Sequence, residues 1–170
     1  GNASTNPPKT ISIVGTRNVS TYGHIIVEEL IEALEPYHVQ VVSGMAYGVD
    51  ILAHRACVKH GVSTIGVLGH GLDRIYPHQH RSTAQKMIEN GGLFSEFPSG
   101  TNPDRENFPR RNRIVAGLTD ATIVIESSLK GGSLITANLA NDYNRDVFAY
   151  PGNVFNTYSK GCNALIASNR

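Results

Sequence analysis

Short apolar runs alternate with longer amphipathic segments in the first part of the chain. Three runs, Ile11–Val14, Val39–Val42 and Thr64–Leu68, are rich in β-branched residues, and each leads into a glycine-containing turn. This combination predicts buried strands. Apolar residues recur at helical spacing from Ile26 to Leu34, and a second helical pattern runs from about Val49 to Gly61. The pattern therefore predicts a repeating unit of a strand, a turn and a helix.

The second half of the chain continues this alternation. It predicts helices over Gln79–Glu89 and from Ser133 to about Asn144, strands over Thr122–Ile125 and Val147–Ala149, and a short helix near Asn163–Ala167. Leu93 and Phe94 form a further brief apolar run. Short strands that alternate with helices predict a mainly parallel sheet with helices on both faces, which is a Rossmann-like three-layer α/β fold. We expect one domain over residues 11–170, preceded by a tag remnant and linker at 1–10.

Composition limits the functional classes. The chain has 170 residues, 40% of them hydrophobic, which is enough for a proper core. The net charge of +1 excludes a uniformly basic surface, so binding of a polyanion would need local clustering of charge. Cys57 and Cys162 lie far apart and match no metal-ligand spacing, which favours free thiols in a reducing compartment. We expect a cytoplasmic protein without a metal, a cofactor or a membrane span.

One basic segment stands out. Four of the ten arginines lie between Arg105 and Arg113, directly before the apolar run Ile114–Leu118. Pro109 suits the first turn of a helix, and such a turn would present backbone donors and guanidinium groups together, which suits phosphate. A solvated basic face on a surface helix is an equally good interpretation of these residues alone. The long loop Glu96–Asn107 leads into this segment, and loops of this length are usually functional.

Further candidates follow the predicted strands, whose carboxyl ends share one edge of the sheet. Arg17 is either an anion ligand or a partner of Asp50. The small residues of the turn Ser43–Ala46 would admit a phosphate backbone or a base, unless this is a plain tight turn. The segment Lys130–Ser133 combines a lysine with backbone amides before a helix that Ser133 would cap, which is a recurrent phosphate cradle.

The remaining polar and aromatic candidates have two interpretations each. Phe108, beside the arginines, is either a stacking surface for a base or a core residue. Arg113 lies two residues beyond Arg111, so on a helix it points elsewhere, and we expect it to brace the fold against Asp50 or Glu126.

Three histidines lie close together in sequence after the third strand. His70, His78 and His80 match no zinc spacing, so we expect solvated loop histidines.

Several motifs in order carry a family resemblance. They are Ile13-Val14-Gly15-Thr16-Arg17, Ser43-Gly44-Met45-Ala46 with Gly48-Val49-Asp50, Leu68-Gly69 with Gly71-Leu72-Asp73 and Tyr76-Pro77, Phe108-Pro109 with Arg111-Asn112-Arg113, and Gly132-Ser133-Leu134-Ile135-Thr136-Ala137. Together they closely resemble the central domain of the DNA-processing protein A family, also called DprA or Smf, over nearly everything from Ile11 onward.

The resemblance implies a homodimeric protein without established catalytic activity that binds single-stranded DNA and helps to load the recombinase RecA in natural transformation. By motif, the DNA-binding residues would be Arg17, Ser43, Gly44, Met45, Ala46, Arg105, Phe108, Arg111, Asn112, Lys130, Gly131, Gly132 and Ser133. The alternative is a nucleotide-binding or hydrolysing protein of the phosphoribohydrolase or lysine-decarboxylase-like type. Those families carry Pro-Gly-Gly-x-Gly-Thr-x-x-Glu where this chain has Lys130–Leu134, and the hydrolytic acid is missing.

Overall fold

The computed structural model describes residues 1–4 and 6–168, and its centre is a parallel β-sheet. The strands are β1 (Thr10–Val14), β2 (Gln40–Ser43), β3 (Thr64–Val67), β4 (Gly92–Phe94), β5 (Ala121–Val124) and β6 (Asp146–Ala149). The helices are α1 (Thr21–Leu34), α2 (Val49–His60), α3 (Arg81–Asn90), α4 (Asn107–Gly117), α5 (Gly132–Asp142) and α6 (Lys160–Ser168). The predicted Rossmann-like α/β fold is confirmed.

The order of the strands places a topological switch at the centre of the sheet. All six strands run parallel in the order β4-β3-β2-β1-β5-β6. Ile11 of β1 is in register with Val41 on one side and with Ala121 on the other. The chain builds outward from β1 to β4 and then crosses back to β5 and β6. Ligands of such sheets bind outside the carboxyl ends of the strands at this reversal, here between β1 and β5.

Two apolar layers hold the sheet. Ile13 of β1 packs with Val41 and with Ile31 and Ala53 of α1 and α2, whereas the adjacent Val14 faces the opposite layer. Successive residues of a strand point to opposite faces, so one short run of apolar residues serves both cores. No helix among residues 1–4 and 6–168 is long and apolar enough to cross a membrane.

The first helix is fixed through its cap. Two residues at the start of this helix, Ser20 and Thr21, are of types that cap helices, and Ser20 is the cap, because its Oγ accepts the Gly23 amide hydrogen at 3.2 Å. Glu126, buried just after β5, accepts hydrogen bonds from the Ser20 amide at 2.9 Å and from the Ser20 hydroxyl at 2.6 Å. These bonds tie the loop that carries Arg17 to the carboxyl end of the neighbouring strand.

Both ends of the helix predicted from Ser133 to Asn144 differ from the prediction. The cap of α5 is Gly131, and Ser133 is already the second helical residue. The Ser133 hydroxyl donates to Ser127 Oγ at 2.8 Å, so it holds the preceding loop instead of capping. The helix ends at Asp142, because Asn144 has a left-handed backbone with φ of 54°.

The starts of α3 and β1 differ by one or two residues from the predicted ones. Residues 78–80 form a separate short 3₁₀ helix, so α3 begins at Arg81. At the amino end, β1 begins at Thr10, where Asp120 accepts hydrogen bonds from both the amide and the hydroxyl of Thr10 at 2.8 and 2.9 Å.

Candidate nucleic-acid interface

A cleft of about 660 Å³ opens at the carboxyl edge of the sheet. The loops after β1 and β2 form one part of its wall, the first turns of α4 another, and the loop between β5 and α5 a third. Its position above β1 and β5 is the one that the strand order predicts for a ligand site. The glycine turns after the strands, which are far apart in sequence, therefore meet here.

The cleft is positively charged. Arg17 and Arg105 are exposed, Arg111 is buried, and all three line the cleft. Among the described lining residues Asp50 is the single carboxylate. The first turn of α5, at residues 131–133, also faces the cleft, and the amides of a first helical turn lack intrahelical acceptors and carry partial positive charge. This arrangement favours an anionic ligand.

Arg111 connects helix α4 to the sheet. Its side chain donates to the Val67 carbonyl at the end of β3 and, through Nε, to Asn112 Oδ1 at 3.2 Å. The guanidinium lies against the backbone of Gly44, where an added Cβ would be 2.6 Å from Nη1 and in contact with the Asp50 carboxylate. Glycine at this position leaves room for the buried cation and the buried acid beside the turn after β2, where a side chain would collide with both.

The charges around Gly44 are perturbed by burial. Burial raises the pKa of Asp50 to about 6, against the opposing attraction of Arg111. Burial likewise lowers the pKa of Arg111, and the charge of Asp50 counteracts part of this effect. His54 donates through Nε2 to the Gly44 carbonyl at 2.6 Å, and its Nδ1 lies 2.8 Å from Thr64 Oγ1. Because burial lowers the pKa of His54 to about 4, this histidine is neutral at pH 7.

Two aromatic rings complete the cleft. The ring centroids of Phe108 and Tyr76 are 6.1 Å apart with an interplanar angle of 34°. Phe108 is half-buried, Tyr76 is 47% exposed, and both residues line the cleft, so part of each side chain is accessible from it. Such rings provide stacking surfaces for nucleobases, next to guanidinium groups that suit phosphates.

Sequence comparison identifies the family. The profile of the family described as DNA recombination-mediator protein A matches residues 1–169 of the chain. The chain belongs to this family. The Smf protein of Synechocystis is 44% identical over 156 residues, which are 92% of this chain and 39% of that protein. The chain thus spans well under half the length of this curated relative.

Two solved structures of the family share the fold. DprA from Streptococcus pneumoniae aligns with a TM-score of 0.87 at 39% identity, over 94% of this chain and 56% of that one. DprA from Helicobacter pylori aligns with a TM-score of 0.88 at 32% identity, over 96% of this chain and 74% of that one. The latter structure is described as showing a single-stranded DNA binding mode of that protein.

Most residues that the family resemblance singled out lie together. The cleft is lined by Arg17, Gly44, Ala46, Arg105, Phe108, Arg111, Asn112, Gly131, Gly132 and Ser133. Three others do not line it. Ser43 is fully buried and donates to the Ile13 carbonyl at 2.6 Å, so it joins β2 to β1. Met45 packs in the core, and Lys130 is exposed outside the lining.

The two faces of helix α4 are the reverse of the prediction. Arg113 does not brace the fold against Asp50 or Glu126, because its side chain is 52% exposed and pairs with Glu96. Arg111, 5% exposed, is the arginine that contacts the sheet. The spacing of two residues correctly separated the side chains, but it could not show which of them faces inward.

The prediction of solvated histidines is wrong for two of the three. His70 and His80 are 1% and 2% exposed, and His80 Nδ1 donates to the Met45 carbonyl at 2.7 Å. His78 is exposed. Within the described part of the chain, no three histidine, cysteine or acidic side chains are grouped so that they could hold a metal ion.

Both cysteines are buried free thiols, as predicted. Burial raises the pKa of Cys57 to about 12 and that of Cys162 to about 11.

The cleft also contains residues that sequence analysis did not single out as candidates. They are Thr16, Tyr76, Pro103, Ser128, Ile135 and Thr136, among others. Thr16 follows a predicted strand, and Ser128 lies in the turn after β5, so their position at the carboxyl edge was a usable signal. Ile135 and Thr136 lie on α5, and only the packing of α5 against α4 brings them to the cleft.

Proposed function

We propose that the chain binds single-stranded DNA in this cleft and acts as a recombination mediator. The observation that carries the proposal is the convergence of three guanidinium groups, one helix N-terminus and two aromatic rings in a single cleft at the topological switch. Phosphates would lie against Arg17, Arg105 and the first turn of α5. Bases would lie against Phe108 and Tyr76.

This combination discriminates between single strands and duplex. Phosphates are present in both, so the arginines alone supply affinity without discrimination. Bases in a duplex are stacked and paired, whereas the bases of a single strand are free to stack on protein side chains. The half-buried Phe108 ring and its neighbour Tyr76 can therefore engage a single strand and not an intact duplex.

Family membership supports the same function and extends it to partners. The family is described as a recombination mediator, and one solved member is described with single-stranded DNA. A mediator hands its DNA to a recombinase, and we propose RecA as that partner, with the chain acting as a homodimer in the cytoplasm. The proposed role is binding and delivery, without a chemical step.

A hydrolytic function on a nucleotide is the alternative, and the cleft disfavours it. Asp50 is the single carboxylate among the described lining residues, and it is buried beside Arg111 at the Gly44 turn. A buried carboxylate close to a guanidinium is poorly placed to accept a proton from a water molecule that attacks a nucleotide. Release of free adenine from AMP by the purified chain would revive this alternative.

Fluorescence anisotropy with labelled oligo-dT and a duplex of matched length tests the proposal. We expect the oligo-dT to bind more tightly than the duplex at the same salt concentration. The substitution Phe108→Ala should reduce this preference, since base–aromatic stacking contributes roughly 1–3 kcal/mol per base. Phe155→Ala is the matched control, because Phe155 is 91% exposed and does not line the cleft. Equal affinity for both ligands would contradict the proposal.

A further inference from the structure

Two loops that border the cleft lie against each other. Residues 69–77 follow β3 and include Tyr76, whereas residues 95–106 follow β4 and include Arg105. Both of these side chains line the cleft, and the second loop leads directly into helix α4 and Phe108. The position of one loop relative to the other therefore determines where these groups stand in the cleft.

Asp73 joins the two loops. Its Oδ1 accepts the Gly100 amide hydrogen at 2.8 Å, and its Oδ2 accepts hydrogen bonds from Arg74 Nε and Nη2 at 3.0 and 2.9 Å. Arg74 Nη1 in turn donates to Asn102 Oδ1 at 2.7 Å. We call these contacts, together with the 3.2 Å backbone hydrogen bond from Gly71 to Thr101, the clasp, whose members are Gly71, Asp73, Arg74, Gly100, Thr101 and Asn102.

Neither stability nor direct contact with a ligand explains the clasp. Asp73 and Arg74 are not among the described residues that line the cleft. Their side chains are 34% and 41% exposed, and ion pairs at exposed positions add little to folding stability. The hydrogen bond from the Gly100 amide and the pairing with Arg74 lower the pKa of Asp73, so this carboxylate is charged at pH 7. A charged acid on a loop that borders a site for anions needs another role.

The middle of the second loop depends on the clasp. Among the described residues, every hydrogen bond from residues 99–106 to a partner outside residues 95–107 belongs to the clasp. The other bonds of this segment are internal, such as the one from Asn107 Nδ2 to the Asn102 carbonyl at 3.1 Å. A segment without external bonds samples many conformations, and fixing each of its residues has an entropic cost. The clasp therefore holds Arg105 in place before a ligand arrives.

We propose that Asp73 is a positioning residue for the binding of single-stranded DNA, because through the clasp it holds the loop of Arg105 in the conformation that meets the strand. The inference rests on the proposed function, since it assumes that a single strand occupies the cleft. Without the clasp, the loop is ordered only when the strand binds, and the cost of this ordering reduces the affinity.

The proposal reverses the effect that charge alone predicts. Asp73 is an acid close to a binding site for anions, so its removal should strengthen DNA binding if only the electrostatic field mattered. If Asp73 acts through the clasp, its removal should weaken binding instead. The sign of the change therefore distinguishes a positioning residue from a bystander charge.

Anisotropy with oligo-dT measures this sign. We expect Asp73→Ala to bind about three- to tenfold more weakly than the wild-type chain, which corresponds to the cost of ordering a long side chain and its loop on binding. Asp73→Asn keeps an oxygen for the Gly100 amide and should lose less than about twofold. Asp120→Ala is the matched control, because Asp120 also accepts a backbone amide hydrogen, from Thr10 at 2.8 Å, but precedes β5 at the opposite edge of the sheet. Its affinity should stay within about twofold of the wild-type value.

Two further readouts separate positioning from a general loss of structure. In the Arg105→Ala background, Asp73→Ala should weaken binding by less than about twofold, because the group that it positions is gone. Without DNA, trypsin should cleave the bond after Arg105 at least about threefold faster in Asp73→Ala than in the wild-type chain, because local opening exposes the loop. Asp120→Ala should be cleaved there at the wild-type rate.

The outcomes separate the two proposals. Affinity in Asp73→Ala that equals or exceeds the wild-type affinity would overturn the positioning role and leave the proposed function standing. An equal loss with and without Arg105 would also overturn it. If Asp73→Ala does not fold, Arg74→Ala replaces it in each measurement, because this change breaks the links to Asp73 and Asn102, and the same results decide. Failure of the wild-type chain to bind oligo-dT at all would contradict the proposed function and the inference that rests on it.

Discussion

Arg111 and Arg113, two residues apart on α4, should contribute very unequally to stability. Arg111→Ala removes the hydrogen bonds to the Val67 carbonyl and to Asn112, and it leaves the buried Asp50 without its nearby cation. Removing one member of a buried charge pair typically costs about 3–5 kcal/mol. Asp50 can take up a proton, since burial already raises its pKa to about 6, and this relief places the expected loss near 3 kcal/mol.

Thermal unfolding followed by circular dichroism measures this loss. For a chain of this length about 1 kcal/mol shifts the melting temperature by roughly 2–4 °C, so Arg111→Ala should melt about 6–12 °C lower. Arg113→Ala breaks an ion pair with Glu96 in which the arginine is 52% exposed. Exposed pairs contribute about 0–1 kcal/mol, and alanine favours a helix, so the melting temperature should move by no more than about 2 °C.

A double variant distinguishes a charge effect from a simple loss of packing. Arg111→Met combined with Asp50→Asn removes both buried charges at similar volume, and neutral replacements of buried pairs are often tolerated. It should recover at least half of the stability that Arg111→Ala loses. Equal destabilisation by Arg111→Ala and Arg113→Ala would refute the assignment of the two faces of α4, and no recovery in the double variant would refute the charge argument.

Three further predictions concern pH, the first turn of α5 and assembly. The stability that Asp50 contributes in its protonated form is lost as pH rises from about 4 to its folded pKa of about 6, whereas the contribution of neutral His54 is lost as pH falls from about 6.5 toward its folded pKa of about 4. The two effects oppose each other in the wild-type chain, and Asp50→Asn removes the first of them. Measured by denaturant unfolding, the stability of Asp50→Asn should therefore rise relative to the wild-type chain by about 2 to 3 kcal/mol between pH 4 and 6.5. A stability difference that does not change with pH would contradict the buried charge of Asp50. A Cβ on Gly132 meets nothing within 4 Å, so Gly132→Val should keep the wild-type melting temperature but bind oligo-dT about tenfold more weakly. A Cβ on Gly131 would lie 3.1 Å from the Ser128 carbonyl oxygen, so Gly131→Val should melt at a lower temperature. Light scattering at tens of micromolar should give twice the monomer mass, and a monomer mass would count against the homodimer.

The order of elements was predictable because each strand is short, apolar and followed by a glycine turn. β1 is buried on both faces, so Ile13 and Val14 both had to be apolar, and this gives the run its recognisable pattern. The position of the cleft followed from the same pattern, since turns after parallel strands share an edge. The cap of α1 was predictable only as one of two residues, because Ser20 and Thr21 both have side chains that suit a cap, and the structure shows that Ser20 supplies it.

Features that depend on the packing of distant elements were not predictable. His70 and His80 stand in a polar loop, and only the fold of that loop over β3 and α3 buries them. The sequence could not choose between Arg111 and Arg113 because the inward face of α4 is decided by contact with β3. Ser133 precedes an apolar run as a cap would, but its hydroxyl contacts Ser127 instead. In each case a polar side chain has a tertiary partner that local pattern does not reveal.

The salt dependence of oligo-dT affinity tests most directly whether the arginines of the cleft bind phosphates. Each phosphate contact with a single strand contributes roughly −0.7 to the slope of log K against log salt. Arg17→Ala and Arg105→Ala should each make the slope shallower by about 0.7, because both side chains are exposed in the cleft. Arg145→Ala is the control, since Arg145 precedes β6 at the opposite edge of the sheet and lies 3.9 Å from Asp120. We predict an unchanged slope for Arg145→Ala, and equal slopes in all four proteins would contradict DNA binding in the cleft.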